Sequence, residues 1–456
     1  MYISKYIFTY RLRNDQHLIF NSLSGAMDIV EEHICQFLLN EQPSTPSLSN
    51  EEQQFLFSRG YLFREAEEEQ GLIGRYKDYL DHHSSDEISF VFCPSMTCNL
   101  KCVYCFEPQE IRSSNERMTE DQVQAAFLAM DQIMLEHRSP KHHFILFGGE
   151  PLLPLNHAIV ELILKKAKER GIPGTIISNG MFLSHYQDLL QSYKDMIKIQ
   201  LTIDGPQAIH DQRRITKASQ GTFLKIINQV DWFLDHQFDI TIRVNLDSQN
   251  IEHLDELLND FQDRQWNKYP NFSVALSPVE NYAGNSAPNL LPNYQITESI
   301  KKNVPIEKLR AVNTALNSDL TRLSLPFEKA LHTGIATDNY FPNFYFCEAA
   351  GGRTFTFSPD HQIYPCTSII GDKKWSLGTY YPQLQLDEQK LALWNGRHVL
   401  NQPECSACNI AFLCSGNCPV QADRKTGSIL GTYCGNVKRD LGDHLKLLNS
   451  SFVALS

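Results

Sequence analysis

Residues 93–107 read CPSMTCNLKCVYCFE, and three of their cysteines, Cys98, Cys102 and Cys105, form a C-x3-C-x2-C pattern. On a loop that follows a strand, this spacing lets three thiolates converge. Three is one short of the four ligands a structural zinc takes, and of the four cysteines that usually hold an iron–sulfur cluster. A [4Fe–4S] cluster on such a loop therefore keeps one iron open to another ligand. A zinc-binding loop is the plainer alternative on spacing alone. Cys93 is the alternative fourth thiolate, but it lies in a predicted strand before Pro94, where buried free cysteine is common. A second group comprises Cys347, Cys366, Cys405, Cys408, Cys414, Cys418 and Cys434, with C-x2-C-x5-C-x3-C at its centre. Cys35 stands alone and no cysteine falls between 106 and 346. Reducing compartments keep thiols free, so clustered cysteines there indicate metal or catalysis.

The elements that must position these thiols have a strand–helix rhythm. Strands are predicted at ISFVFCP (88–94), HHFILFGG (142–149), GTIISNG (174–180), IKIQLTIDG (197–205), DITIRVNLD (239–247) and FSVALSP (272–278). Helices such as 118–137 and 221–237 lie between them. This alternation predicts an α/β fold, a partial (β/α)6 TIM-type barrel with a parallel sheet. Chemistry in such barrels sits at the C-terminal ends of strands. Cys98, Gly148–Gly149–Glu150, Ser178–Asn179 and Asp204 all fall at such ends, and Arg243 and Asn245 lie on the fifth strand.

Bulk properties set the frame. The chain has 456 residues, 42% hydrophobic and 21% charged, which suits a soluble protein of two to four domains. The net charge of −12 argues against wholesale nucleic-acid binding. No apolar run is long enough for a membrane span, and the N-terminus lacks signal-peptide order. A cytoplasmic location is expected. Residues 1–64 are expected to form a winged-helix-like α+β module. YIFTYRL and HLIFNSL read as strands joined by the turn RNDQ. AMDIVEEHICQFLLN reads as a helix on the spacing of Met27, Val30, Ile34 and Leu38, with Ser24 as its cap. A second helix carries a capping box, Ser49 with Glu52, and stops at Gly60, before the short strand YLF. Residues 65–87 read as a partly helical linker, with Glu65–Glu69 as a solvated face. Residues 279–335 read as a mixed helical connector.

The cysteine spacing, with Tyr104 before the last thiol, resembles the radical S-adenosylmethionine (SAM) superfamily, and 88–335 is expected to be its barrel. The resemblance implies a [4Fe–4S] cluster on Cys98, Cys102 and Cys105 whose open iron chelates SAM. An electron then releases a 5′-deoxyadenosyl radical, which abstracts a substrate hydrogen. FGGEP is similar to the motif that binds the SAM amino group, through Gly148, Gly149 and Glu150. SNG (Ser178, Asn179) and LTIDGP with HDQRR (Asp204, Arg214) follow in the family's order. Arg214 is implied to pair with the SAM carboxylate, an apt fork. Arg243 and Asn245 are implied near the ribose or methionyl group, and a plain ion pair is the alternative for Arg243. No catalytic residue beyond the cluster is implied.

The C-terminal set resembles the seven-cysteine SPASM domain, expected over 336–456. The resemblance implies two auxiliary [4Fe–4S] clusters, three in all. Cys405, Cys408, Cys414 and Cys434 would hold one, and Cys347, Cys366 and Cys418 the other, with an open iron. The family's usual glycine is His361 here, and Asp360–His361 is still expected to form the turn. Relatives with both modules act on peptides and proteins. The winged-helix-like module implies leader-peptide binding by strand addition. The implied function is a peptide maturase that forms cysteine thioether crosslinks to a Cα or Cβ carbon, as in sactipeptide and ranthipeptide synthases. Partners would be a precursor peptide and an external electron donor of flavodoxin or ferredoxin type, with no nucleic acid and no membrane. The alternatives are a cyclophane-type C–C or C–O crosslinking maturase, an anaerobic sulfatase-maturing enzyme, or a non-enzymatic zinc-stabilised peptide-binding protein. Sulfatase-maturing relatives place an aspartate after the second SPASM cysteine, where this chain has Thr367.

Overall fold

Aromatic and β-branched residues open the chain and pair into strands, as their types favour. The computed structural model describes residues 1–12, 15–39, 47–83, 87–137, 141–280, 289–316 and 340–452. The chain divides into two units, one of residues 1–84, 319–351 and 396–456, the other of 85–318 and 352–395. Among the described residues no helix is long and apolar enough to cross a membrane.

In the first unit, β1 (Tyr2–Ile3) pairs with β5 (Leu62–Phe63). A separate antiparallel sheet runs in the order β2 (Ile7–Arg11), β3 (Gln16–Asn21), β4 (Met27–Glu31). Of the expected turn RNDQ, Arg13 and Asn14 lie outside the described residues. Alternate β3 residues face opposite sides. Ile19 packs with Val30, Leu56 and Tyr61 and with Ile34 and Leu38 of α1 (Glu32–Leu39). Leu18 and Phe20 pack with Ile410, Leu413, Leu441 and Leu445, and Cys408 and Cys414 lie against that cluster. The helix expected from Met27 therefore begins only at Glu32. Met27 and Val30 fit helical spacing, yet β3 offers their backbone a partner, Phe20 opposite Met27 and His17 opposite Val30. Ser24 caps nothing and donates instead to Arg59 O (3.0 Å). The second helix, α2 (Asn50–Ser58), has the expected capping box, Ser49 N to Glu52 Oε2 at 2.7 Å and Glu52 N to Ser49 Oγ at 3.2 Å. Gly60 ends it at φ +75.

The stretch read as a linker is an 18-residue helix, α3 (Ala66–His83). Its acidic run is not wholly solvated. Glu69 is fully buried and accepts from Ser4 Oγ (2.6 Å) and Tyr2 OH (3.2 Å), which ties α3 to the N-terminus.

The second unit holds the six expected strands, β6 (Ile88–Phe92), β7 (His142–Leu146), β8 (Gly174–Ser178), β9 (Ile197–Thr202), β10 (Asp239–Leu246) and β11 (Phe272–Pro278). They are neighbours in sequence order and all parallel. Helices including Glu120–His137, His157–Glu169, Phe223–Asp235 and Leu254–Asp263 connect them. β6 is buried at every position, as a strand covered on both faces must be. The sheet then extends beyond expectation at both ends. β12 (Thr314–Leu316), inside the stretch read as a connector, adds parallel to β11. Residues 281–288 and 317–335 of that stretch lie outside the described residues. On the other side β13 (Thr354–Phe357) adds parallel to β6, with Phe90 stacked on Phe355 and Phe357. β14 (Gln362–Tyr364), β15 (Gly378–Thr379) and β16 (Gln385–Leu386) continue antiparallel. His361 takes the turn between β13 and β14 at φ +72, where Asp360 accepts from Tyr364 OH (2.7 Å). Glu69→Ala strands the Ser4 hydroxyl, so the urea midpoint of unfolding should fall by an amount equivalent to about 1–3 kcal/mol, read by far-ultraviolet circular dichroism.

Candidate functional site

The site in the second unit begins with two glycines that let backbone touch backbone. A Cβ on Gly148, at φ +125, would stand 2.5 Å from Ser95 O, and one on Gly149 would stand 2.2 Å from Met96 O. Only glycine fits so close an approach. The contact is locked by Gly149 N to Ser95 O (3.3 Å) and Glu150 N to Thr97 O (3.0 Å). The end of β7 thereby clamps residues 95–97, directly before Cys98.

Glu150 is buried and turns back into the fold. Its Oε1 accepts from Ser178 Oγ (2.7 Å) and Leu152 N (2.9 Å), and its Oε2 from Asn179 N (2.7 Å). Burial lifts its carboxyl above the ordinary range, against those three hydrogen bonds, which favour the charged form. Asn179 donates to Asn99 Oδ1 (2.8 Å) and reaches Cys98 Sγ at 3.9 Å. One chain of contacts thus runs from the end of β8 through Glu150 to the first cysteine.

A second network gathers around Tyr104, between Cys102 and Cys105. Its hydroxyl meets Asp204 Oδ2, Arg214 Nη1 and Asn245 Nδ2. Asp204 Oδ1 accepts from Asn245 N (2.9 Å), and Arg243 Nε donates to Asn245 Oδ1 (2.9 Å). Arg214 is buried, and its Nε has no hydrogen-bond partner. Burial opposes its charge, but Cys102, Tyr104 and Asp204 outweigh that and hold it firmly protonated. The turn that presents Arg214 is built by its neighbours. His210 accepts from Asp204 N (3.2 Å) and meets Thr222 Oγ1 (2.9 Å). Asp211 Oδ1 accepts from Thr222 N (2.7 Å) and Phe223 N (2.9 Å), at the start of Phe223–Asp235. Arg213 pairs with Asp247 (2.6 Å) and covers the Tyr104 ring (5.0 Å).

Every expected site residue from Gly148 to Asn245 therefore belongs to one of two contact networks on the Cys98–Cys105 loop. Sequence reasoning missed Tyr104 as the centre of the second network, and it missed Arg213, Asn99 and Glu107. Glu107 is buried, with Oε1 unpartnered, and burial pushes its carboxyl up to about 7. Burial also raises the three thiols, Cys98 to about 12 and Cys105 to about 11. Cys93 is fully buried with Val91, Met96 and Tyr364, an ordinary core position.

Of the second cysteine set, Cys347, Cys405, Cys408, Cys414, Cys418 and Cys434 belong to the first unit and Cys366 to the second. Cys366 Sγ accepts from Ser368 N (3.4 Å). None of the twelve cysteines, all of them among the described residues, is in a disulfide. Among the described residues no group of three or more His, Cys, Asp or Glu side chains is arranged to hold a metal ion. The segment that carries Cys405, Cys408, Cys414 and Cys418 holds buried donors without partners at Arg397, Gln402 and Ser415, a chemistry that suits thiolate and sulfide acceptors.

Residues 93–261 match the Radical SAM superfamily. A cysteine-type anaerobic sulfatase-maturating enzyme of Clostridium perfringens is 24% identical over 359 residues, 75% of this chain and 92% of that protein. Native anSMEcpe with bound AdoMet aligns with a TM-score of 0.58 at 19% identity, over 81% of this chain and 100% of its own. SuiB of Streptococcus suis, bound to precursor peptide SuiA, aligns with a TM-score of 0.56 at 15% identity, over 94% of this chain and 98% of its own. At these identities the structural likeness is one of fold.

Tyr104→Phe removes the hydroxyl that Asp204, Arg214 and Asn245 share. Cleavage of SAM to 5′-deoxyadenosine should fall at least tenfold, about 1.4 kcal/mol in barrier, with iron content unchanged, as measured by chromatography of the product. Gly149→Ala drives a Cβ into Met96 O, and the iron content of the purified protein should drop, measured by iron analysis.

Proposed function

We propose, for a chain that belongs to the Radical SAM superfamily through residues 93–261, that it modifies a ribosomally made precursor peptide, forming cysteine thioether crosslinks to a Cα or Cβ carbon. The observation that carries this reading is the convergence of strand ends on the Cys98–Cys105 loop. It sets a buried acceptor, Glu150, and a buried donor, Arg214, beside three thiols, which suits a ligand with an amino and a carboxylate group. When bound, a [4Fe–4S] cluster on Cys98, Cys102 and Cys105 and SAM supply a 5′-deoxyadenosyl radical that takes a hydrogen atom from the peptide. The chain's own part is orientation. Glu150 accepts from the amino group while Ser178 and Asn179 hold its carboxylate still. Arg214 offers Nε–H to the carboxylate group, and Tyr104 and Asp204 fix its direction. Arg243 and Asn245 extend the polar wall along β10. Burial of these groups excludes water.

The peptide assignment is supported by the three-stranded sheet of the first unit. Its outer strands β2 and β4 each pair on one side only among the described residues, which suits leader capture by strand addition. The likeness to peptide-bound SuiB extends over 94% of the chain, against 81% for anSMEcpe. Two auxiliary clusters complete the reading, one on Cys405, Cys408, Cys414 and Cys434 and one on Cys347, Cys366 and Cys418. They would take the surplus electron, and a flavodoxin- or ferredoxin-type protein would supply the first. Sulfatase maturation is the second reading, favoured by the 24% identical relative and opposed by Thr367 in the place of the expected aspartate.

Anaerobically purified protein should contain about twelve irons and as many sulfides per chain, four per cluster. Incubated with SAM, a reductant and a cysteine-bearing precursor peptide that carries a leader, it should remove two hydrogen atoms per crosslink, read by mass spectrometry. Cys98→Ala with Cys102→Ala should abolish 5′-deoxyadenosine. Zinc in place of iron would sink the enzyme reading, and formylglycine in a sulfatase peptide with no crosslinking would install the second one.

A further inference from the structure

Four buried donor atoms of the first unit have no partner: Arg397 Nε and Nη1, Gln402 Nε2 and Ser415 Oγ. All three side chains are fully buried, on the segment that carries Cys405, Cys408, Cys414 and Cys418. Arg397 is fixed by its remaining nitrogen, Nη2, which donates to Gly416 O (2.9 Å) and Asn417 O (3.3 Å). The turn that presents these carbonyls holds three residues in left-handed geometry, Ser415 at φ +60, Gly416 at +77 and Asn417 at +60. Gly416 also makes room for Gln402, whose Nε2 would stand 2.1 Å from a Cβ there. Gln402 in turn accepts from Cys405 Sγ (3.5 Å).

A fully buried guanidinium with two idle nitrogens, Nε and Nη1, is costly unless an anion meets it. Both hydrogen-bond partners of Arg397 are neutral carbonyls. Burial pulls its charge down, to a pKa of about 10, and the groups that oppose this are Cys405, Cys418, Cys347 and Cys414. These belong to both proposed auxiliary sets, Cys405 and Cys414 to one and Cys347 and Cys418 to the other.

We propose that Arg397, supported by Gln402, donates its idle N–H groups to the sulfur atoms of the auxiliary iron–sulfur clusters and raises their reduction potentials. The inference rests on the auxiliary-cluster reading above. A donor that faces cluster sulfur stabilises the reduced, more negative state, and hydrogen bonds of this kind are a principal control on cluster potential. The chemistry needs such an acceptor. When a thioether forms, the carbon has given a hydrogen atom to the deoxyadenosyl radical and the thiol has released a proton, so one electron is left over. A raised potential lets an auxiliary cluster take it. Arg397 is thus a positioning residue that acts through the clusters.

Iron and sulfide analysis separates the two ideas, since a protein without auxiliary clusters fails the underlying reading rather than this one. On loaded holoenzyme, potentials are read by redox titration with electron paramagnetic resonance. Arg397→Lys and Gln402→Leu should each lower an auxiliary midpoint, Arg397→Lys more, and leave the SAM-binding cluster unchanged. If Arg397→Lys does not load iron, Gln402→Leu carries this arm. Wild-type protein labelled with 15N-arginine should show a 15N coupling on a reduced auxiliary cluster, lost in Arg397→Lys. Absence of that coupling overturns the contact, and unchanged auxiliary potentials overturn the tuning; either result rejects the proposal.

Discussion

The close approach of Gly148 and Gly149 to the backbone of residues 95–97 is the constraint on which the site depends. Two side-chain-free residues let the end of β7 lie against the loop, with Glu150 N bonded to Thr97 O. That contact fixes where the loop enters Cys98, and it also turns Glu150 inward to Ser178 and Asn179. Any side chain at Gly149 would have to displace main chain rather than a flexible group. A single steric condition therefore links the second and third strands to the first cysteine, and the Tyr104 network links the fourth and fifth strands to the third.

The two cysteine regions manage buried polarity in opposite ways. Around Tyr104, most donors meet an acceptor within the chain. Asp204 is met by Asn245 and Tyr104, and Arg213 Nη1 by Asp247. Such a network is stiff, and low dielectric strengthens each bond in it. The open positions are few and directional, Arg213 Nε, Arg214 Nε and Glu107 Oε1. Around Arg397 the donors are left in excess among the described residues, and Arg397 itself is held by backbone carbonyls. The first arrangement is complete enough to orient a small ligand, whereas the second is built for something with many weak acceptors.

Much of this was legible in the residues. The six parallel strands announce themselves as short apolar runs, and the polar motifs at their ends fall where the networks form. The local cues that failed were overridden by distant partners. Met27 and Val30 satisfy helical spacing, but β3 makes them a strand. Glu69 looks solvated in an acidic run, and only Ser4 and Tyr2, more than sixty residues upstream, bury it. Tyr104 could be read as packing, because its partners arrive from three other segments of the chain. Arg397, Gln402 and Ser415 lie in turn-rich sequence without periodicity, so nothing local marked them.

The place of β6 has a consequence for how the chain is made. It is flanked by β7, which follows within the same α/β run, and by β13, which is synthesised after every other parallel strand. Until Thr354–Phe357 emerge, β6 is an edge with backbone unpaired on one side and with Phe90 lacking Phe355 and Phe357. Exposed edges of this kind invite pairing with other chains. The nascent chain therefore holds a nearly finished sheet open on one side until the β13–β14 hairpin arrives to seal it.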